Sequence, residues 1–421
     1  MPTQLLVASS TQLALCGFSV MLSLSACRSA NATTDRPEES SLASSANAAP
    51  SSENPESLAK PQDSSNEVYW PMCCSYAAIE CNMLEPIPSD LSKCGAGIEA
   101  DPELVRFAVI GDFGDASFPC EAKTAAMIKG WESSSPLDFI MTLGDNNYNN
   151  GAERTFAANV TQFFGDYVSS ERFYPTLGNH DWRTRCKKEE YPPNGIPCPY
   201  VEHFSYLAPL GPEGADTRYY TTNIKGIVDL YGLDSNPQEL HGTCCNSTQA
   251  NWFSNALLKS KAPFRLAYFH HSPYTTAQVD SPGSWMRWPF NEWGVSAVLS
   301  GHEHAYERLD VDGIPYFVNG LGGSPWIYNQ DQCPRDKHSN AMFTDTIAAM
   351  YVVANSKEME FCAYRVDQAD PVDVYRIKGS SPPTAAPAKC VPSPVDKDYC
   401  ANEPATVHYP TVTCEANSSV D

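Results

Sequence analysis

Five short stretches of this chain carry side chains able to bind metal ions: GDFGD (111–115), GDNNY (144–148), GNHD (178–181), HHSP (270–273) and GHEH (301–304). They supply carboxylates at Asp112 and Asp145, a phenol at Tyr148, an amide oxygen at Asn179 and imidazoles at His180, His270, His271, His302 and His304. That set is large enough for two cations, and paired cations acting on one phosphate constitute a reaction mechanism. Taken singly, the motifs say less. A Gly-Asp or Gly-His pair is most often a turn. An asparagine such as Asn179 commonly sits in a left-handed turn, and a tyrosine such as Tyr148 commonly packs half-buried. His302 and His304 form the stronger pair, because alternation along an extended segment directs both toward one region.

Side chains with this work need rigid elements behind them, and the sequence supplies a repeated one. Apolar runs at 104–110, 139–143, 173–177, 264–269 and 295–300 each lead straight into one of the five motifs. Continuous apolar strands imply a sheet covered on both faces. Between them, residues 121–131 and 248–259 have helical apolar spacing and read as crossovers. Open α/β sheets place their sites at the carboxyl ends of strands, so the five motifs are expected to meet in one crevice. Residues 183–243, rich in Pro, Gly and Tyr, read as a long insertion at its rim.

The chain is long enough at 421 residues, and apolar enough at 42%, to bury one main domain with appendages. Its formal charge of −22 argues against binding a nucleic-acid backbone, which needs clustered Lys and Arg. It does not exclude a phosphate substrate, since bound cations invert the local potential. Sixteen dispersed cysteines, with adjacent pairs at Cys73/Cys74 and Cys244/Cys245, point to disulfides formed in an oxidising compartment. Their connectivity is not readable from the sequence.

The remaining segments are appendages. Residues 1–26 contain an apolar, small-residue run too short and Ser-rich to span a bilayer, and read as a cleaved export signal. Leu24-Ser25-Ala26-Cys27 resembles a bacterial lipobox, so the exported protein is expected to be secreted or lipid-anchored at Cys27, its one route to a membrane. Residues 27–66 are poor in large apolar side chains and are expected to form a disordered tether. Residues 67–102 read as a Cys-rich cap, 103–378 as the catalytic domain and 379–421 as a Cys-containing tail. Other features read blandly. Gly320 to Gly323 is expected to be a turn, and Trp285, Trp288 and Trp293 core residues. The sequons at Asn159, Asn246 and Asn417 matter only if the host glycosylates.

In order and spacing the five motifs resemble the purple acid phosphatases of the calcineurin-like metallophosphoesterase superfamily, over roughly residues 103–375. One coupled pair distinguishes them. Most of the superfamily has Asp-x-His in the first motif, whereas here Gly114 stands at the histidine's place and Tyr148 follows Asp145 by three. The resemblance implies a four-layer α-β-β-α sandwich, here with an N-terminal cap and a C-terminal tail bearing disulfides. It further implies that Asp112, Asp145, Tyr148 and His304 hold Fe(III), a hard ion suited to phenolate and carboxylate. The second site, Asp145 as bridge with Asn179, His271 and His302, would take a divalent Zn, Fe or Mn. His271-Ser272-Pro273 fits the family's His-x-Pro, which puts His270 on the opposite side of an extended segment.

The implied activity is an exported acid phosphatase acting on phosphate monoesters, with His180 stabilising the transition state or protonating the leaving group. The family carries another substrate-side histidine downstream of His-x-Pro, but residues 272–301 contain none. His203, His241 and His270 are the candidates to replace it. Two other functions compete: a phosphodiesterase using the same ions, and a surface-anchored binding protein with a vestigial site.

Overall fold

The structure, a computed structural model, describes residues 76–99, 103–186, 195–277, 283–328, 335–381, 383, 390 and 400. The export signal, the tether and the anchor at Cys27 lie outside the described residues.

Two sheets form the centre. The first has seven strands in the order β12 (Ser339–Phe343), β9 (Tyr306–Val311), β10 (Ile314–Asn319), β8 (Ala297–Gly301), β7 (Phe264–His271), β6 (Val228–Gly232), β5 (Tyr220–Ile224). Its middle strands β10, β8, β7 and β6 run parallel. The second has six strands in the order β15 (Asp373–Lys378), β14 (Glu358–Arg365), β13 (Ala348–Ala354), β2 (Val105–Ile110), β3 (Phe139–Thr142), β4 (Phe173–Tyr174), with β2, β3 and β4 parallel. Every residue of β3, β7, β8 and β13 is buried, as their unbroken apolar runs require of strands covered on both faces.

The inner faces share one core, in which Phe317 of β10 meets Phe361 of β14 at 4.6 Å between ring centres. Helix α1 (Pro119–Ser134) covers the outside of the second sheet, packing Trp131 against Tyr351 and Tyr364. Its buried positions Glu121, Thr124, Ala125, Ile128 and Trp131 make a single stripe at helical spacing. The other outer face is covered by α2 (Thr248–Leu257), capped by the Ser247 hydroxyl, with Phe253 against Tyr231, Trp288, Phe290 and Trp293. The sandwich therefore has the expected four layers, and the three tryptophans are core residues.

Two expectations change. Residues 183–243 are not only a rim insertion, because 220–224 and 228–232 are the edge hairpin of the seven-stranded sheet. The polar run Thr221-Thr222-Asn223 in the first strand and Asp229 in the second gave that hairpin too little apolar contrast to be seen. Asn159 is 5% exposed and fully engaged, so it is no glycan acceptor. In the cap, β1 (Tyr76–Ala78) pairs antiparallel with β11 (Trp326–Tyr328). Among the described residues, five disulfides join Cys81 to Cys120, Cys94 to Cys362, Cys186 to Cys198, Cys244 to Cys400 and Cys245 to Cys390.

Candidate metal centre

The motifs gather where β2, β3, β4, β7 and β8 end. At three of these ends a glycine is followed by a residue in left-handed backbone: Asp112 (φ 56°), Asp145 (φ 51°) and His302 (φ 69°). Each such non-glycine residue costs on the order of 1 kcal/mol and persists only where its surroundings over-determine it. Here the motifs fix each other. Asp112 Oδ2 accepts from the His302 N–H (2.9 Å), and Asp145 Oδ1 accepts from the His180 N–H (2.9 Å). Asp181 Oδ2 takes N–H donors from Gly178 (2.9 Å) and Asn146 (3.2 Å), clamping the second motif to the third. Burial, then the Asp145 charge, pushes the Asp181 carboxyl up to about 7.

Two groups of donors result. In the first, Tyr148 Oη lies 3.3 Å from Asp112 Oδ1 and 3.2 Å from His304 Nε2, with His304 Nε2 3.4 Å from Asp112 Oδ1. His304 Nδ1 donates to the Trp326 carbonyl. In the second, Asn179 Oδ1 lies 2.9 Å from His270 Nε2 and 3.2 Å from His302 Nδ1, and those nitrogens are 3.1 Å apart. Asp145 stands between the groups: its Oδ1 is 3.6 Å from His270 Nε2, and Asp112, Asp145 and His270 converge within 4.8 Å.

This donor set fits cations better than it fits hydrogen bonding. His270 donates from Nδ1 to the Leu143 carbonyl (2.8 Å), leaving the Nε2 lone pair toward Asn179 and His302. Three acceptor atoms in mutual contact cannot share one proton satisfactorily, whereas one cation satisfies all three. Burial, then neighbouring His270, holds the His302 imidazole well below its ordinary pKa, which favours the neutral ring. Burial alone would raise the Asp145 carboxyl, but His270, His180 and the His180 N–H keep it below the usual carboxylate range. Burial, reinforced by Asp145 and Asp112, drives the Tyr148 phenol well up. Only a strong cation reverses that direction and makes a phenolate.

The histidine pair at the end of β7 departs from the expectation. His270, assigned to the opposite side, points into the second group, and His271 stands beside it. The His271 Nδ1 is engaged by the Ser235 hydroxyl (2.9 Å), and its ring rests on Trp285 and His302. The cause is a register shift between Phe269 and His271 in the β7–β8 pairing, which breaks the alternation that favoured His271. His271 remains close enough to back the site, and the nitrogens of His270, His271 and His302 lie within 4.8 Å of one another.

Gly114 explains why the first motif has no histidine. A methyl group there would overlap the Asn146 carbonyl, and the Gly114 carbonyl accepts from the Tyr148 N–H (2.7 Å). The loop that delivers Tyr148 occupies the space a side chain would need. Asn159 completes the support, donating to the Tyr148 carbonyl and to Asn147 Oδ1 (both 2.9 Å) from a π-helical turn at Ala157–Thr161. Sequence reasoning missed Asn159, and only its polarity amid the apolar 156–164 segment hinted at it.

His180 lies beside the bridge, its Nε2 3.8 Å from Asp145 Oδ2 and its Nδ1 donating to the Asn149 carbonyl (2.7 Å). Burial lowers its pKa, although Asp145 opposes the shift. Of the other proton-donor candidates, His203 stacks flat on Phe156 and binds Glu153 (2.9 Å), while His241 pairs with the Tyr219 hydroxyl (2.6 Å). Neither joins the cluster.

A family profile described as a calcineurin-like phosphoesterase matches residues 105–306, a span that includes all five motifs. Purple acid phosphatase 17 of Arabidopsis thaliana is 21% identical over 248 residues, covering 53% of this chain and 69% of that protein. Tartrate-resistant acid phosphatase type 5 of Homo sapiens is 24% identical over 242 residues, covering 53% and 74%. Among solved structures, a purple acid phosphatase from yellow lupin (Lupinus luteus) seeds is similar with a TM-score of 0.48 at 15% identity, over 66% of this chain and 54% of that one.

Proposed function

Because the chain carries a calcineurin-like phosphoesterase domain, we propose that it is an exported acid phosphatase that hydrolyses phosphate monoesters at a binuclear centre of Fe(III) and a divalent ion. The observation that carries this reading is Tyr148, buried against Asp112 and His304 over a glycine that leaves it room. Asp112, Asp145, Tyr148 and His304 would hold the ferric ion. Asp145, Asn179, His270 and His302 would hold the divalent Zn, Fe or Mn. Bound there, the ions would neutralise the phosphoryl oxygens and acidify a water for attack on phosphorus.

The chain's own residues do the rest. Asp145 lies in reach of both donor groups and so fixes their spacing. His180, with Nδ1 tied to the Asn149 carbonyl, presents Nε2 on the side of Asp145, where the phosphoryl group and its leaving oxygen would lie. In its protonated form, which acid favours against the downward pull of burial, it supplies a hydrogen bond to the transition state, and a proton to the departing alcohol as the phosphorus–oxygen bond breaks. The disulfides support an oxidising, extracytoplasmic compartment. No described helix is long and apolar enough to cross a membrane.

Metal analysis with an absorption spectrum tests the centre. Two metals per chain are expected, with a visible tyrosinate-to-Fe(III) band that Tyr148→Phe abolishes. A colourless, fully metallated protein would replace the ferric ion with a second divalent one, and fewer than two metals would favour a vestigial site. Turnover of an aryl phosphate against its bis-ester tests the substrate class, where preference for the bis-ester would make the enzyme a phosphodiesterase.

A further inference from the structure

Arg183 closes the 3-10 turn Asp181–Arg183 that begins directly after His180. Its Nη1 donates to the Asn149 carbonyl (3.1 Å), the same oxygen that holds His180 Nδ1 (2.7 Å). One carbonyl thus anchors two side chains side by side. The imidazole Nε2 lies toward Asp145, and the guanidinium shares the carbonyl on the ring's Nδ1 edge. Arg183 is exposed, and among the described residues no carboxylate pairs with it. In a chain of net charge −22, an unneutralised guanidinium at this position is not a surface average.

Neighbouring contacts hold the arrangement. Thr184 donates to the Asn150 carbonyl (2.5 Å), and Gly151 packs against the Asp181 backbone, so segments 149–151 and 181–184 lie against each other. A guanidinium has five donors in a rigid fork, and among the described residues the Asn149 carbonyl is the partner of one of them. The fork has the geometry that matches a phosphate oxygen pair.

Resting on the monoesterase reading above, we infer that Arg183 is a specificity-determining residue that recognises a second phosphate carried by the leaving group. His180 faces Asp145 through Nε2 and shares the anchor of its Nδ1 with Arg183. A phosphoryl group bound at the ions directs its leaving oxygen past His180, and an anionic group one or two bonds beyond that oxygen reaches the guanidinium. With such a substrate, water adds to the scissile phosphorus, the bridging phosphorus–oxygen bond breaks, and the departing phosphate takes its electron pair and a proton. Arg183 offsets the charge that builds on it.

The experiment compares kcat/KM for inorganic pyrophosphate with that for phenyl phosphate, whose leaving group is uncharged until cleavage, in the wild-type protein and in Arg183→Gln and Arg183→Lys. A charge-assisted pair is worth about 1.5–3 kcal/mol, so the pyrophosphate-to-phenyl ratio should fall roughly ten- to a hundredfold in Arg183→Gln and less in Arg183→Lys. Metal content and thermal midpoint, measured on the same samples, exclude a damaged centre as the cause. An unchanged ratio, whether both substrates slow together or neither does, overturns the assignment. A wild-type protein that holds two metals but turns over neither substrate instead overturns the phosphatase reading, and this inference falls with it.

Discussion

At the residue scale, the sharpest consequence concerns two adjacent histidines. His270 has one ring nitrogen fixed by the Leu143 carbonyl and the other facing Asn179, His302 and Asp145, the disposition of a ligand with its tautomer set. His271 has one nitrogen committed to Ser235 and its ring braced by Trp285. His270→Ala should therefore yield about one metal per chain and a kcat lowered by more than about a hundredfold, whereas His271→Ala should keep two metals with divalent affinity weakened by roughly ten- to a hundredfold. Metal quantification after equilibrium dialysis decides it, and the reverse ranking would restore His271 as ligand. The residue types of the site were legible in the sequence, because carboxylate, phenol and imidazole at the ends of apolar runs have few other uses together. The choice between neighbours was not, since a register shift of one residue leaves no mark in composition.

Among the elements, the loop from Asp145 to Gly151 is the part whose geometry the centre depends on. It is held from one side by Gly114 and from the other by Asn159, so it has no slack. Gly114→Ala forces the Asn146 carbonyl away, and overpacking of a buried contact of this kind destabilises by about 1–3 kcal/mol. The same shift carries Tyr148 off Asp112 and His304, so the visible band should weaken along with the urea midpoint. Asn159→Ala removes the partners of the Tyr148 carbonyl and the Ala116 N–H and should cost about 1–3 kcal/mol without any steric clash. Loss of stability with an intact spectrum in both variants would show that the loop positions Tyr148 by some other means. The parallel strands were legible because burial on both faces demands unbroken apolar runs. The hairpin of β5 and β6 was not, since its outer strand is only partly buried and is polar through its middle. Neither was Asn159, whose role depends on a loop that sequence separation hides.

On the scale of the whole molecule, the appendages reach the centre through backbone. β1 of the cap adds a strand to β11, and the first residue of β11 offers the carbonyl that orients His304. At the other end, Cys244 and Cys245 are tied to Cys400 and Cys390, and the loop before them presents Ser235 to His271. Pairings spanning 145 to 268 residues could not be read from spacing, because the sheet order decides which cysteines meet. The same separations make a quantitative prediction. A cross-link stabilises chiefly by restricting the unfolded chain, and its contribution grows with the logarithm of the loop it closes. Cys94–Cys362 closes 268 residues and Cys186–Cys198 only 12, so loop entropy alone makes the first worth about 3 kcal/mol more than the second. Replacing each pair with alanine and measuring urea unfolding should show that difference, with Cys94→Ala/Cys362→Ala the weaker protein. Equal losses would mean that native contacts around each bridge, rather than the reach of the loop, set its contribution, and that the cap is held to the sandwich by β1, its packing and Cys81–Cys120 more than by Cys94–Cys362.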